Sequence, residues 1–228
     1  MSIASHAGKF AAPRTDAQGR IPLIGLNPEE LKEVLSIHNL PGFRSKQIWH
    51  WLYHRGVRDF ESMANLPKDL RAILTEKYSI ERPKLITEQK SEDGTIKWLL
   101  GMSDGQQVEA VFIPEAKRGT LCVSSQVGCT LTCKFCHTGT QPLVRNLGAN
   151  EILQQIMFAR DALDEWPAKD KKDEGRDLTN IVMMGMGEPL YNYDNVAQAL
   201  KICMDEDGLG ISKLRITLST SGVVPQNR

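Results

Sequence analysis

The sequence predicts an α/β protein built on parallel strands, preceded by a small helical domain and a β-hairpin. Three observations carry this. From residue 120 onward, apolar runs alternate as strand, helix, strand, helix, strand, and alternation of that kind implies a parallel sheet. Residues 95–113 hold two strand-like runs around a short turn. Residues 27–80 instead repeat their apolar positions at helical spacing.

The elements follow in order. Residues 1–26 lack the apolar core of a secretory signal and predict a flexible leader. Asn27 followed by Pro28 is an N-cap with proline at the first helical position, so 28–37 should be helical. Ile48, Trp51 and Leu52 place a second helix over 45–55, and 67–78 looks like a third. Trp49 and Trp51 stand two positions apart and cannot share one helical face, so one is expected in the core and the other outside. The pattern changes near Arg82 and Pro83. Strands are expected over 95–102 and 107–113, with Ser103, Asp104 and Gly105 as the turn. Further strands are expected over 120–126, 180–184 and 214–219, and helices over 149–164 and 194–205. The charged segment 165–178, with Pro167 and Gly175, should be an exposed loop. The resulting domain division is a leader over 1–26, a helical accessory domain over 27–80 and an α/β core over 81–228.

Composition excludes several function classes. Hydrophobic residues make up 41% and charged residues 25%, which is ordinary for a globular protein and not for a disordered one. No apolar run reaches the ~18 residues of a membrane span, so a cytoplasmic protein without a membrane partner is expected. The 28 basic and 28 acidic residues balance, although the first 90 residues are slightly basic and the rest slightly acidic. Binding RNA through non-specific charge alone is therefore not expected. The five cysteines are odd in number, and without a signal peptide they argue against a disulfide framework.

Three of those cysteines, Cys129, Cys133 and Cys136, have the spacing C-x3-C-x2-C. Three thiolates on one short loop can hold three irons of a cubane and leave the fourth iron for a substrate. Thiolates also suit zinc, but a structural zinc needs a fourth ligand, and His137 beside Cys136 is awkwardly placed for that. Residues 133–137 also read C-x-x-C-H, the haem-attachment pattern, which belongs to exported proteins and leaves Cys129 without a role.

Two further motifs sit at strand ends. GMGEP at 185–189 follows the strand over 180–184; its glycines allow close approach of a ligand and Glu188 can accept from an ammonium group. By itself it is also a plain glycine turn. Ser219 ends the next strand, where a polar residue is equally a simple strand end. In parallel α/β folds ligands gather at the carboxyl ends of strands, where all three motifs fall.

The cysteine spacing, with the aromatic Phe135 before the last cysteine, resembles the radical S-adenosylmethionine (SAM) superfamily. The blocks RGTLCVSSQVGC at 118–129, RNL at 145–147, GMGEP at 185–189 and LSTSGVVP at 218–225 are together similar to the RlmN family within it. Pro142 departs from the glycine common after the residue matching Gln141. The resemblance implies a partial radical-SAM (β/α) barrel carrying a [4Fe–4S] cluster on Cys129, Cys133 and Cys136. It implies SAM bound beside Gly187, Glu188 and Ser219, with the amino and carboxylate groups of SAM on the open iron. It implies methylation of C2 of an adenine in 23S rRNA and in some tRNAs, with rRNA, tRNA and an electron donor such as flavodoxin as partners. Two catalytic residues carry over: Cys122, which helps release the covalent enzyme–RNA intermediate, and Glu109, a proton acceptor. Without the resemblance, Cys122 reads as a buried strand cysteine and Glu109 as an outward strand carboxylate. Cys203 reads as core.

The family's methyl-carrying cysteine lies near the C-terminus of its full-length members, and no residue here matches it. A C-terminally truncated chain, inactive alone in methyl transfer, is therefore the expectation. The alternatives from the sequence are methylation of adenine C8 by the related family, a radical-SAM enzyme acting on protein, and a zinc-binding RNA adaptor without catalysis.

Overall fold

A computed structural model describes residues 11–167 and 176–223. Its centre is a six-stranded mixed sheet. The strands are β3 (Lys84–Lys90), β4 (Ile96–Gly101), β5 (Gln107–Glu115), β6 (Arg118–Cys122), β9 (Asn180–Met183) and β10 (Ile216–Leu218), in the order β10-β9-β6-β5-β4-β3. From β3 to β6 the pairing is antiparallel; β6, β9 and β10 are parallel. The expected parallel strands are thus present, and the expected hairpin β4–β5 is extended on its far side by β3. That strand was not legible: all seven of its residues are exposed, so no burial pattern marks it.

Alternation along the strands makes the two faces of the sheet unlike. Trp98, Leu100, Val108, Ala110, Phe112, Leu121, Ile181 and Met183 are buried on one face. They share a core with helices α4 (Ala149–Ala162) and α5 (Tyr193–Met204), Trp98 meeting Phe158 edge to face with ring centroids 5.6 Å apart. The register puts Lys97, Leu99, Glu109, Val111, Cys122 and Val182 on the other face, and none of them is buried.

The helical region comprises α1 (Pro28–Ser36), α2 (Phe43–Trp49) with a π-helical turn over His50–His54, and α3 (Lys68–Lys77). Asn27 caps α1 as expected: its side chain accepts from the Glu30 N–H, and Glu30 accepts from the Asn27 N–H. The Glu30 carboxylate also accepts from the Gln198 amide of α5, which donates in addition to the Gly25 carbonyl, so α1 is pinned to the core. The indole expectation resolves in favour of Trp49, which is buried with Ile48, Leu52 and Tyr53, while Trp51 is half-buried. The π turn adds a residue per turn and shifts the buried stripe off the spacing of a regular helix.

Residues 21–24 belong to the fold rather than to a leader over 1–26. Ile21–Pro22 (β1) pairs with Tyr78–Ser79 (β2), and Leu23 and Ile24 fill the core. Residues 1–10 of that leader lie outside the described residues, as do 168–175 of the expected loop 165–178. Near the ends of that loop Glu165 and Leu178 are buried, the Leu178 N–H donating to the Glu165 carboxylate at 2.7 Å. The strand expected over 120–126 ends at Cys122. Gln126–Val127 (β7) turns away to pair with Arg145–Asn146 (β8).

Candidate active site

The carboxyl ends of β6, β9 and β10 lie side by side; β9 and β10 lead directly into their motifs, and β6 leads through β7 into the cysteine loop. After β6 comes the cysteine loop. The pair β7–β8 forms its neck, so residues 128–144 project as one closed excursion. Gly128 is essential to the neck. Its φ is +74°, and a Cβ there would lie 2.1 Å from the Pro142 carbonyl oxygen. Cys129 donates from its N–H to the Gln141 carbonyl at 3.2 Å, and its Sγ accepts from the Leu131 N–H at 3.4 Å. The Cys136 N–H donates to the Cys133 carbonyl at 3.1 Å. Cys129, Cys133 and Cys136 are free thiols, each half-buried, and the Phe135 ring between the last two is 94% exposed.

Among the described residues no three His, Cys, Asp or Glu side chains close on one point as a single bound ion requires. A cubane asks for something else, one thiolate at each of three separate irons. Three accessible thiols on a single necked loop fit that demand.

After β9 comes the glycine loop. Gly187 has φ +95°, and a Cβ there would lie 2.4 Å from the Cβ of Gln126. The buried Glu188 carboxylate accepts from the Leu190 N–H at 3.1 Å, the Ser221 N–H at 2.9 Å and the Ser221 hydroxyl at 3.0 Å. Burial is the largest influence on its pKa and pushes it up. The donors from Ser221, Leu190 and Thr220 outweigh burial and leave it below the usual glutamate range. An ionised, buried carboxylate at a strand end fits an ammonium partner. Ser219 is exposed at the end of β10, and its neighbours Thr220 and Ser221 carry donors that reach Glu188.

The remaining two residues share the open face of the sheet. Burial raises the Cys122 thiol above its ordinary pKa, against a hydrogen bond from the Met184 N–H, so it holds its proton at neutral pH. Glu109 stands on the neighbouring strand and pairs with Lys97 Nζ at 3.2 Å. The register places Val111 opposite Cys122, and Glu109, two residues away along β5, lies on the same face.

Sequence reasoning missed the polar frame that joins these loops. Ser124, Ser125 and Gln126 are all buried. Ser124 Oγ donates to the Glu109 carbonyl and accepts from the Met186 N–H, and its N–H and carbonyl are both held by the Gln155 amide. The Asn192 amide donates to the carbonyls of Ser125 and Leu147. Three consecutive polar residues in an otherwise apolar run were the available signal.

Known proteins resemble this chain in both of its parts. A profile of the ribosomal RNA large subunit methyltransferase N-terminal domain matches residues 21–80, and one of the radical SAM superfamily matches 123–228. The dual-specificity RNA methyltransferase RlmN of Rhodospirillum rubrum is 56% identical over 97% of this chain and 53% of its own length. The protein of the same name from Ruegeria pomeroyi is 59% identical over 94% of this chain and 56% of its own. A crystal structure of a radical SAM methyltransferase from Sphaerobacter thermophilus superposes with a TM-score of 0.79 at 41% identity, covering 89% of this chain and 57% of that one. The chain thus spans little more than half the length of the relatives it matches. Among the described residues no helix is long and apolar enough to cross a membrane.

Proposed function

The chain belongs to the RlmN family of radical SAM proteins, and from that premise we propose that it serves the methylation of C2 of an adenine in RNA. The observation that carries this reading is the convergence of the cysteine loop, the glycine loop and the loop after β10 at the ends of three adjacent parallel strands. The family's cofactors, a [4Fe–4S] cluster and SAM, have matching groups here. Cys129, Cys133 and Cys136 would each hold one iron. Glu188, with Gly187 allowing close approach, would accept from the SAM ammonium group, and Ser219 would stand beside it. The bound cofactors supply a carbon radical by reductive cleavage of SAM. Adenine C2 is a poor nucleophile, which is why radical rather than polar transfer is needed.

The chain's own residues would do the acid and base work. Glu109, on the open face, would accept a proton from the base, with Lys97 beside it as the counter-ion of the carboxylate. Cys122, on that face, would help to release a covalent intermediate, and because burial holds its proton it would have to give that proton up to attack as a thiolate. The substrates in this reading are rRNA and tRNA, the electron donor is a flavodoxin-like protein, and the setting is the cytoplasm.

The helical region is the proposed RNA-docking surface. The Arg44 guanidinium lies 4.8 Å from the centroid of the exposed Phe43 ring, and that of Arg55 lies 5.9 Å from the half-buried Trp51. Accessible rings beside cations suit stacking on unpaired bases and contact with phosphate.

The test of the reaction is genetic. RNA from cells lacking the gene should have lost 2-methyladenosine from 23S rRNA and tRNA, read by mass spectrometry of nucleosides. Loss of 8-methyladenosine instead would assign the related C8 chemistry, and no change in either would overturn the reading.

A further inference from the structure

Gln126 is fully buried, yet its side-chain amide is used at both ends. Its Oε1 accepts from the Glu188 N–H at 2.9 Å, and its Nε2 donates to Asn146 Oδ1 at 2.8 Å. Gly187 presses on the same side chain, close enough that a Cβ would stand 2.4 Å from Gln126 Cβ. Gln126 begins the neck of the cysteine loop, Asn146 ends it, and Gly187 and Glu188 form the glycine loop. One amide therefore touches the entry of the first loop, its exit, and the tip of the second.

We propose that Gln126 is a positioning residue that sets the separation and orientation of the SAM-binding glycine loop relative to the cluster loop. This rests on the reading of the site given above. A ligand that must reach an iron and a carboxylate at once is sensitive to the distance between their carriers, and misplacement of about 1 Å is costly. The Gln126 side chain fixes that distance in two ways. Gly187 packs on the Cβ and Cγ that carry the amide, and the amide's hydrogen bond fixes the backbone from which the Glu188 carboxylate projects. Two properties of glutamine are used together, an acceptor for Glu188 N–H and a donor for Asn146. Leucine has the bulk but neither group. Glutamate, which burial beside Glu188 keeps protonated, has both groups: its carbonyl oxygen accepts from the Glu188 N–H and its hydroxyl donates to Asn146 Oδ1.

The experiment compares the wild-type chain with Gln126→Leu and Gln126→Glu after anaerobic reconstitution. Iron and sulfide are counted, SAM affinity is measured by equilibrium dialysis, and the reduced protein is followed by electron paramagnetic resonance with and without SAM. Gln126→Leu should keep the wild-type iron and sulfide content. Its SAM affinity should fall by about tenfold or more, the effect of leaving buried polar groups unpartnered beside the ligand. Its resonance signal should respond less to SAM. Gln126→Glu should recover most of the affinity. Unchanged SAM binding in Gln126→Leu overturns the proposal, as does loss of iron together with SAM, because the residue would then serve only the loop's folding. If circular dichroism shows Gln126→Leu unfolded, Asn146→Leu decides: weakened SAM binding with an intact cluster supports the proposal, and wild-type binding overturns it. A wild-type chain that takes up neither cluster nor SAM would sink the site itself, a result distinct from either failure in the variants.

Discussion

Ser221 delivers two hydrogen bonds to Glu188, from its N–H at 2.9 Å and its hydroxyl at 3.0 Å, and so ties the loop after β10 to the glycine loop after β9. The carboxylate is lowered in pKa by donors that overcome its burial. A lowered carboxyl stabilises the fold above its ordinary pKa, and that stability is lost as pH falls through the folded value. Glu188→Gln should therefore be less stable than wild type near pH 7. The gap in Tm should close on acidification below the ordinary glutamate range. A gap that stays constant down to pH 3 would mean the charge of Glu188 contributes nothing.

Glu188→Ala tests the ligand as well as the fold. Losing a hydrogen bond to a charged group should weaken SAM binding by about 1.5–3 kcal/mol. The measurement is SAM affinity on protein whose iron content matches wild type. An unchanged affinity would move SAM elsewhere on the strand ends.

The cysteine loop makes its own prediction. Replacing Cys129, Cys133 and Cys136 by Ala should abolish the broad absorbance near ~400 nm and the iron and sulfide gained on reconstitution. Cys203, which is fully buried with its thiol pushed up to about 12, is the control. Its replacement by Ala should leave the iron in place.

Arg145 is clamped between two carboxylates. It meets Asp104 of the β4–β5 turn at 2.7 and 3.0 Å, and Glu151 of α4 at 2.8 Å through both terminal nitrogens. Arg145 and Glu151 are buried, so removing the guanidinium strands a carboxylate out of water. Arg145→Ala should cost about 3–5 kcal/mol in chemical denaturation. A double variant with Glu151→Gln should recover part of that. Equal destabilisation by the single and double variants would show that packing, not charge, is at stake.

How much of this was legible follows from where each signal lives. The parallel strands β6, β9 and β10 and their motifs were readable because buried apolar runs and cysteine spacing are local properties. The Trp49 and Trp51 choice was not, since a π turn leaves no mark in residue type. β3 escaped because an exposed edge strand has no buried face. The frame of Ser124, Gln126, Asn146 and Gln155 escaped for a different reason. Its hydrogen bonds join residues up to 62 positions apart, and a satisfied buried polar group is visible only once its partners are in place. The same holds for Ser221, whose two hydrogen bonds to Glu188 join loops 33 positions apart.

The helical surface can be tested by its salt dependence. Lys46, Arg55 and Arg58 are exposed, and Arg58 already lies 3.7 Å from Asp161. Arg44 is held by Gln47 and the Asn65 carbonyl, which aims it across the Phe43 ring. Reversal of charge at Arg44, Lys46, Arg55 and Arg58 should weaken RNA binding and flatten the slope of log affinity against log salt, by about one unit for each phosphate no longer neutralised. The single Arg58→Glu change should have the smallest effect on RNA, because part of its charge is spent on Asp161. Phe43→Ala separates stacking from charge: affinity should fall while the slope stays put. Binding that is unaltered in the fourfold variant across a salt titration would leave this surface with a packing role only, and RNA would have to enter by the open face of the sheet alone.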